Sequence, residues 1–144
     1  MMIIKESSIL IVGIIRNGAK RIKSELLNLD KAFSNFNRSY FIVESDSTDD
    51  TVKVLRDISN DMKNVEFVSL GNLRSEYPNR VHRLAYCRNH YLEHIRRIRK
   101  TYLPDYVVVA DLDGVNSKIT KKAVQSCFSL ENWDVCTANQ SGPY

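Results

Sequence analysis

The sequence predicts an α/β fold with a mostly parallel sheet and helices on both faces. Short segments rich in β-branched residues alternate along the chain with segments whose apolar residues recur at helical spacing. The first of these segments is a continuous apolar run, which is typical of a strand buried on both faces. With 144 residues, 43% of them hydrophobic, the chain is the size of one domain that spans 1–144 and has its own core.

The expected strands are dominated by β-branched and aromatic residues. They are Ser8–Ile15, 39–43, 65–70 and 106–111, with a short fifth strand near 134–138. Each of the first four is followed by a helical pattern. The resulting β-α-β-α-β-α-β-α-β order is the one that builds parallel sheets, because parallel neighbours need a crossover connection.

The helices are predicted from apolar spacing and from capping residues. The first covers roughly 19–36, where the apolar positions are Ile22, Leu26, Leu29, Phe33 and Phe36. The sequence STDD at 47–50 supplies N-cap residues for the second, which Val52, Leu55 and Ile58 continue. A long helix runs from about 80 to 100, and a last one lies near 120–128.

Composition narrows the class of protein. The net charge is +4 and the pI is about 9.0, a mildly basic balance that suits anionic ligands. The basic run RRIRK at 96–100 lacks interleaved aromatic residues, so no nucleic-acid partner is expected.

Three cysteines without a CxxC pair predict free thiols in a reducing, cytoplasmic compartment. The apolar run at 9–15 is too short to cross a bilayer, so no transmembrane segment is expected.

Polar clusters follow three of the predicted strands. They are Arg16 with Asn17, Glu44 to Asp46, and Asp111 to Asp113. Ligands of open parallel sheets bind beyond the carboxyl ends of the strands, where these clusters meet. The sequence therefore predicts a binding site at this edge.

Asp111 and Asp113 stand one residue apart at the end of the fourth strand. Two carboxylates in this arrangement suit Mg²⁺ or Mn²⁺ that also contacts phosphate oxygens. One alternative is an ordinary turn or capping aspartate beside a surface aspartate. Another is a phosphatase of the DxDxT kind, although that motif would be expected after the first strand.

Glu44 is fixed at the end of the second strand, where a carboxylate can accept hydrogen bonds from a base or a ribose. The alternative is a loop of turn-forming residues before a capped helix. No GxGxxG and no GK[ST] occurs near the first strand, so a Rossmann dehydrogenase and a P-loop NTPase are not expected.

Arg88 is predicted to project from the apolar stripe of the long helix, with His90 and His94 at its flank. The stripe consists of Leu84, Cys87, Tyr91, Ile95 and Ile98. An arginine that faces a core needs an anionic partner. That partner is either a bound diphosphate or an internal carboxylate such as Glu44. Arg80 and Arg83, at the start of the same helix, could reach the same site.

Four motifs occur in a fixed order: IVGIIRNGAKRI, VESDSTDDT, RLAYCRN and VVVADLDG. As an ordered set they resemble the GT-A-type glycosyltransferases of family 2. The second resembles that family's D-D-G-S-T-D-G-T element, the third its A-R-N helix with Arg88 and Asn89 in register, and the fourth its D-x-D. The ES-STD element, RVHRLAYCRN and ENWDVCTAN also resemble fungal capsule-associated mannosyltransferases, which usually lack a clean D-x-D.

The resemblance implies a GT-A-like domain that moves a sugar from a UDP- or GDP-sugar to an unknown glycan or other acceptor. It implies a nucleotide-sugar site made of Ile14, Arg16, Glu44, Ser45, Asp46, Arg83, Arg88 and Asp111, and a Mn²⁺ or Mg²⁺ site made of Asp111 and Asp113. A non-catalytic nucleotide-sugar-binding remnant and a nucleotidyltransferase are the alternatives. Asp113 is followed by only 31 residues, so a full acceptor-binding half is not expected. Glu131 and Asp134 are the candidates for a general base.

Overall fold

Four parallel strands form one sheet within residues 7–138, the part of the chain that the computed structural model describes. The strands are β1 (Ser8–Ile15), β2 (Asn37–Glu44), β3 (Val65–Ser69) and β4 (Tyr106–Val109). The helices are α1 (Ile22–Ala32), α2 (Thr51–Asp61), α3 (Arg80–Ile98) and α4 (Lys121–Phe128), with a 3₁₀ turn at Val115–Lys118. None of these helices is both long enough and apolar enough to cross a membrane.

The strand order is β3-β2-β1-β4, which makes β1 a central strand. It pairs with β2 from Ser8↔Asn37 to Ile15↔Glu44, and with β4 as far as Val12↔Val109. The chain proceeds outward from β1 to β3 and then returns to the other side of β1 to form β4. Such a reversal opens a crevice at the carboxyl edge of the sheet, where ligands bind in folds of this class.

Helices cover both faces of the sheet. The odd-numbered residues of β1 pack with α1, α2 and α4, and the even-numbered residues Leu10 and Val12 pack under α3. Because β1 is covered on both sides, its side chains are apolar at nearly every position. The predicted α/β class, the parallel sheet and helices on both faces are therefore confirmed.

Gly13 allows the segment after β4 to approach β1 closely. A Cβ atom at this position would lie 2.7 Å from the carbonyl oxygen of Ala110 and 2.7 Å from Cδ1 of Leu112. The backbone N–H of Ala110 also donates to the carbonyl of Val12, at 2.9 Å. Any larger residue at position 13 would push the 110–113 segment away from the edge of the sheet.

Two predicted elements differ from the structure. Helix α1 begins at Ile22 rather than near residue 19, because the residues before it form loop hydrogen bonds, and it ends at Ala32 before a turn. The strand predicted near 134–138 is wrong, since those residues form no regular element. Val135 is 78% exposed, so this segment lacks the buried alternate residues that a strand needs. Trp133, just before it, packs against Tyr106 and Phe128.

The buried face of α3 also differs from the prediction. Cys87, Tyr91 and His94 are its buried residues, whereas Arg88 is exposed. His94 stacks on Phe41 of β2, with 3.7 Å between ring centroids. The helix is rotated so that His94, which was expected at the flank, completes the buried stripe and Arg88 points to solvent. The prediction that Arg88 faces the core is therefore wrong.

Candidate functional site

A cleft of about 400 Å³ opens beyond the carboxyl ends of β1, β2 and β3. Eight of its ten lining residues are polar or charged, and all come from the ends of these strands or from the segments that follow them. The lining residues are Arg16, Glu44, Asp46, Ser47, Thr48, Val52, Ser69, Gly71, Asn72 and Arg74. The volume lies within the range of small-molecule sites, and the position is the one expected for ligands of parallel sheets.

Arg16 stands between the segments that follow β2 and β4. The register of β1 with β4 ends at Val12↔Val109, after which the N–H of Ala110 donates to the carbonyl of Val12. On the other side, the register with β2 ends at Ile15↔Glu44. Arg16 is exposed, and its Nε donates to the carbonyl of Asp46 at 3.1 Å. Its positive charge therefore lies at the cleft, beside the loop that follows β2.

Glu44 is 1% exposed, and protein groups already donate to both of its carboxylate oxygens. The N–H of Ser47 donates to Oε1 at 3.0 Å, and the hydroxyl of Ser69 donates to Oε2. Its carboxylate thus joins the ends of β2 and β3 at the base of the cleft. Glu44 lines the cleft, and in this structure its carboxylate holds the strand ends together.

Asp46 organises the loop that follows β3. Its backbone adopts a positive φ of 56°, and its Oδ1 accepts the N–H groups of Leu73 and Arg74 at 2.9 and 3.1 Å. Its Oδ2 lies 4.0 Å from Nε of Arg83. Arg83 also donates through Nη1 to the carbonyl groups of Tyr77 and Pro78. Arg83 therefore holds the loop between β3 and α3, with Asp46 as its partner.

The loops that follow β1 and β2 are joined by their polar side chains. Asn17, in the left-handed region, donates its N–H to the hydroxyl of Ser47 and accepts the N–H of Thr48 at 2.7 Å. The carboxylate of Asp49 accepts the N–H of Ala19 and the hydroxyl and N–H of Thr51. The hydrogen bond from the Thr51 side chain, more than any other effect, lowers the pKa of Asp49. Much of the STDD segment therefore builds the walls of the cleft.

Asp111 and Asp113 are exposed on either side of Leu112, which is 4% exposed. No hydrogen bond or ion pair within residues 7–138 engages either carboxylate, so both are available to a ligand. Residues 7–138 contain no cluster of three or more His, Cys, Asp or Glu side chains that could hold a metal. Two carboxylates nevertheless suit Mg²⁺ or Mn²⁺, which commonly take one or two carboxylates and complete their shell with phosphate oxygens and water.

The remaining predicted residues differ in how exposed their side chains are to a ligand. Ser45 is buried, and its hydroxyl lies 3.4 Å from the thiol of Cys87, whose pKa burial raises. Ile14 is half-buried against the core under α3. Arg88 is exposed and forms no ion pair within the described residues, so the internal partner considered for it is absent from 7–138.

Seven residues that line the cleft were not among the predicted site residues: Ser47, Thr48, Val52, Ser69, Gly71, Asn72 and Arg74. The last four could have been found by the same signal as the other clusters, because they stand at the carboxyl end of β3 or in the loop after it. Gly71 adopts a φ of 66°, which turns the chain back over the cleft. The amide of Asn72 and the guanidinium of Arg74 thus join the candidate site.

The sequence matches no protein-family model and no curated protein. The functional assignment therefore rests on the geometry of the cleft and on the motifs.

Proposed function

We propose that this chain is a metal-dependent glycosyltransferase domain that uses a nucleotide-diphosphate sugar. The observation that carries the proposal is that three features lie after strands of one parallel sheet: a cleft with mainly polar lining residues, the exposed guanidinium of Arg16, and the exposed carboxylates of Asp111 and Asp113. The order of the four sequence motifs supports the same activity.

The nucleoside would lie in the cleft, which has room and polar groups for it. Asn72 offers its amino group as a donor to a base or ribose, while its Oδ1 already accepts the N–H of Arg74, and the Arg74 guanidinium offers further donors. Glu44 would bind the base only through lone pairs that Ser47 and Ser69 leave free. The diphosphate would extend from the cleft past Arg16, which follows β1, toward Asp111 and Asp113, which follow the neighbouring strand β4.

In the proposed reaction the bond between the anomeric carbon and the diphosphate oxygen breaks. The electron pair leaves with the nucleoside diphosphate, a hydroxyl oxygen of the acceptor bonds to the anomeric carbon, and the hydroxyl proton passes to a base. Mn²⁺ or Mg²⁺ would supply Lewis-acid stabilisation of the leaving diphosphate. Arg16 would orient that diphosphate and neutralise part of its charge.

A binding module without catalysis is the second candidate. Glu131 and Asp134, the carboxylates considered as the general base, are exposed, and neither lines the cleft. Neither is held by a hydrogen bond within residues 7–138, whereas a general base normally needs a fixed orientation. On this alternative, the chain would bind a nucleotide sugar and leave it intact.

The test is to incubate the chain with labelled UDP-, GDP- and dTDP-sugars, Mn²⁺ and a panel of glycan acceptors. Release of nucleoside diphosphate, with the label on an acceptor or as free sugar, is the expected result. Binding without any release would favour the module instead. Absence of binding to every nucleotide sugar would reject both.

A further inference from the structure

Asn116 bridges the buried interior and the segment that carries Asp111 and Asp113. Its Nδ2 donates to Oε2 of Glu25 at 2.6 Å and to the carbonyl oxygen of Asp111 at 2.6 Å. Both partners are acceptors, so only the amino end of the amide can face them, and both of its hydrogens are used. Glu25 is 2% exposed on α1, which makes it a fixed anchor for the bridge.

The other end of the segment is also held through its backbone. Nη1 of Arg21 donates to the carbonyl of Asp113 at 3.0 Å, and Gly114 then turns the chain with a φ of 103°. These bonds involve carbonyl oxygens and leave both carboxylates free. The segment is thus ordered before any ligand arrives, and a pre-ordered site loses less entropy when it binds one.

We infer that Asn116, anchored by Glu25, is a positioning residue that sets the Asp111–Asp113 segment for a divalent cation. The inference rests on the proposed function, because it takes the two aspartates as the cation ligands. Asn116 itself does not touch the cation. It fixes the backbone from which the Asp111 carboxylate projects, and partners of this kind commonly change metal affinity about 10–100-fold.

The experiment measures Mn²⁺ affinity of the full chain in the presence of UDP and, separately, of GDP, by the electron paramagnetic resonance signal of free Mn²⁺. Asn116→Ala removes both donated bonds. Asn64→Ala is the matched control, because the Asn64 amide also donates to a backbone carbonyl, that of Arg38, at the opposite end of the sheet. Glu25→Gln keeps an acceptor for Asn116. Urea unfolding in EDTA identifies the folded variants, and Asn116→Leu, which preserves side-chain volume, replaces Asn116→Ala if the latter fails to fold.

The expected result is about tenfold or greater loss of Mn²⁺ affinity in the Asn116 variant, with Asn64→Ala and Glu25→Gln unchanged. Three results would overturn the inference while the metal site stands: full affinity in a folded Asn116 variant, equal losses in the Asn116 and Asn64 variants, or a loss in Glu25→Gln as large as that in Asn116→Ala. If the wild type binds no Mn²⁺, the proposed metal site fails, and the inference fails with it.

Discussion

The hydroxyl of Ser69 donates to the buried carboxylate of Glu44, so the ends of β3 and β2 are joined directly at the base of the cleft. The N–H of Ser47 donates to the other oxygen of the same carboxylate. Glu44, which the motifs favour as the acidic residue that contacts the nucleotide base, therefore also maintains the shape of the cleft.

Ser69→Ala should destabilise the protein, because it removes a donor from a buried carboxylate. The expected loss in the free energy of unfolding is about 1–3 kcal/mol, measured by urea denaturation. Ser59→Ala is the control, since the Ser59 hydroxyl donates only to a carbonyl on the exposed side of α2. Equal stabilities of the two variants would show that the Glu44–Ser69 bond contributes little.

Asp46→Ala should loosen the loop after β3, since the N–H of Leu73 loses its acceptor, the N–H of Arg74 keeps only Oδ1 of Asn72, and Arg83 loses its carboxylate partner. Losing hydrogen bonds to a charged group costs about 1.5–3 kcal/mol, which should raise the population of the locally open loop tenfold or more. Trypsin cleavage after Arg74 should accelerate accordingly. Asp61→Ala, at the exposed end of α2, should leave the cleavage rate unchanged. An unchanged rate in Asp46→Ala would contradict the role given to Asp46.

Arg16→Met should weaken binding of a nucleoside diphosphate by roughly 10–100-fold, the equivalent of a charge-assisted hydrogen bond. Calorimetric titration with UDP and GDP measures the effect, and affinity should also become less sensitive to salt. The fold should persist, because Arg16 is exposed. Arg56→Met, on the exposed side of α2, is the matched control. Equal losses in both variants would mean that Arg16 acts only through net charge.

Asp30 should contribute to stability in a pH-dependent way that is independent of the cleft. Two hydrogen bonds from Arg38, at 2.6 and 2.9 Å, are the largest cause that lowers the pKa of Asp30 below its usual 3.8. A lowered pKa in the folded state means that the stabilisation is complete above about pH 4 and declines as pH falls through the folded-state pKa. Asp30→Asn should therefore reduce stability at pH 7 and flatten its decline below pH 4. Parallel acid unfolding curves for wild type and variant would contradict this.

The strands and most helix bounds could be predicted because their signals are local. A run such as that of Ser8–Ile15 can be buried only between two layers of helices, and Thr120 caps α4 through its hydroxyl, which accepts the N–H of Ala123. The orientation of α3 could not be predicted in the same way. Whether Arg88 or His94 completes its buried stripe depends on which residue meets Phe41 of β2, a contact between segments far apart in sequence.

The candidate site, too, could be predicted from the sequence only in part. Its position at the carboxyl edge follows from the fold class, and Glu44, Asp46, Asp111 and Asp113 all lie there. The sequence could not tell which carboxylates are free, because that depends on donors from other loops. Glu44 and Asp46 are engaged by such donors, whereas the carboxylates of Asp111 and Asp113 are exposed.

The most direct test of the proposed function is a calorimetric titration of UDP- and GDP-sugars into the wild type and into the double variant Asp111→Asn, Asp113→Asn. Each titration is run with Mn²⁺ and again with excess EDTA. We predict that the wild type binds at least one nucleotide sugar about tenfold or more tightly with Mn²⁺ than with EDTA, and that the double variant loses this difference. Equal wild-type affinity in Mn²⁺ and in EDTA would contradict the metal-dependent site on which the account depends.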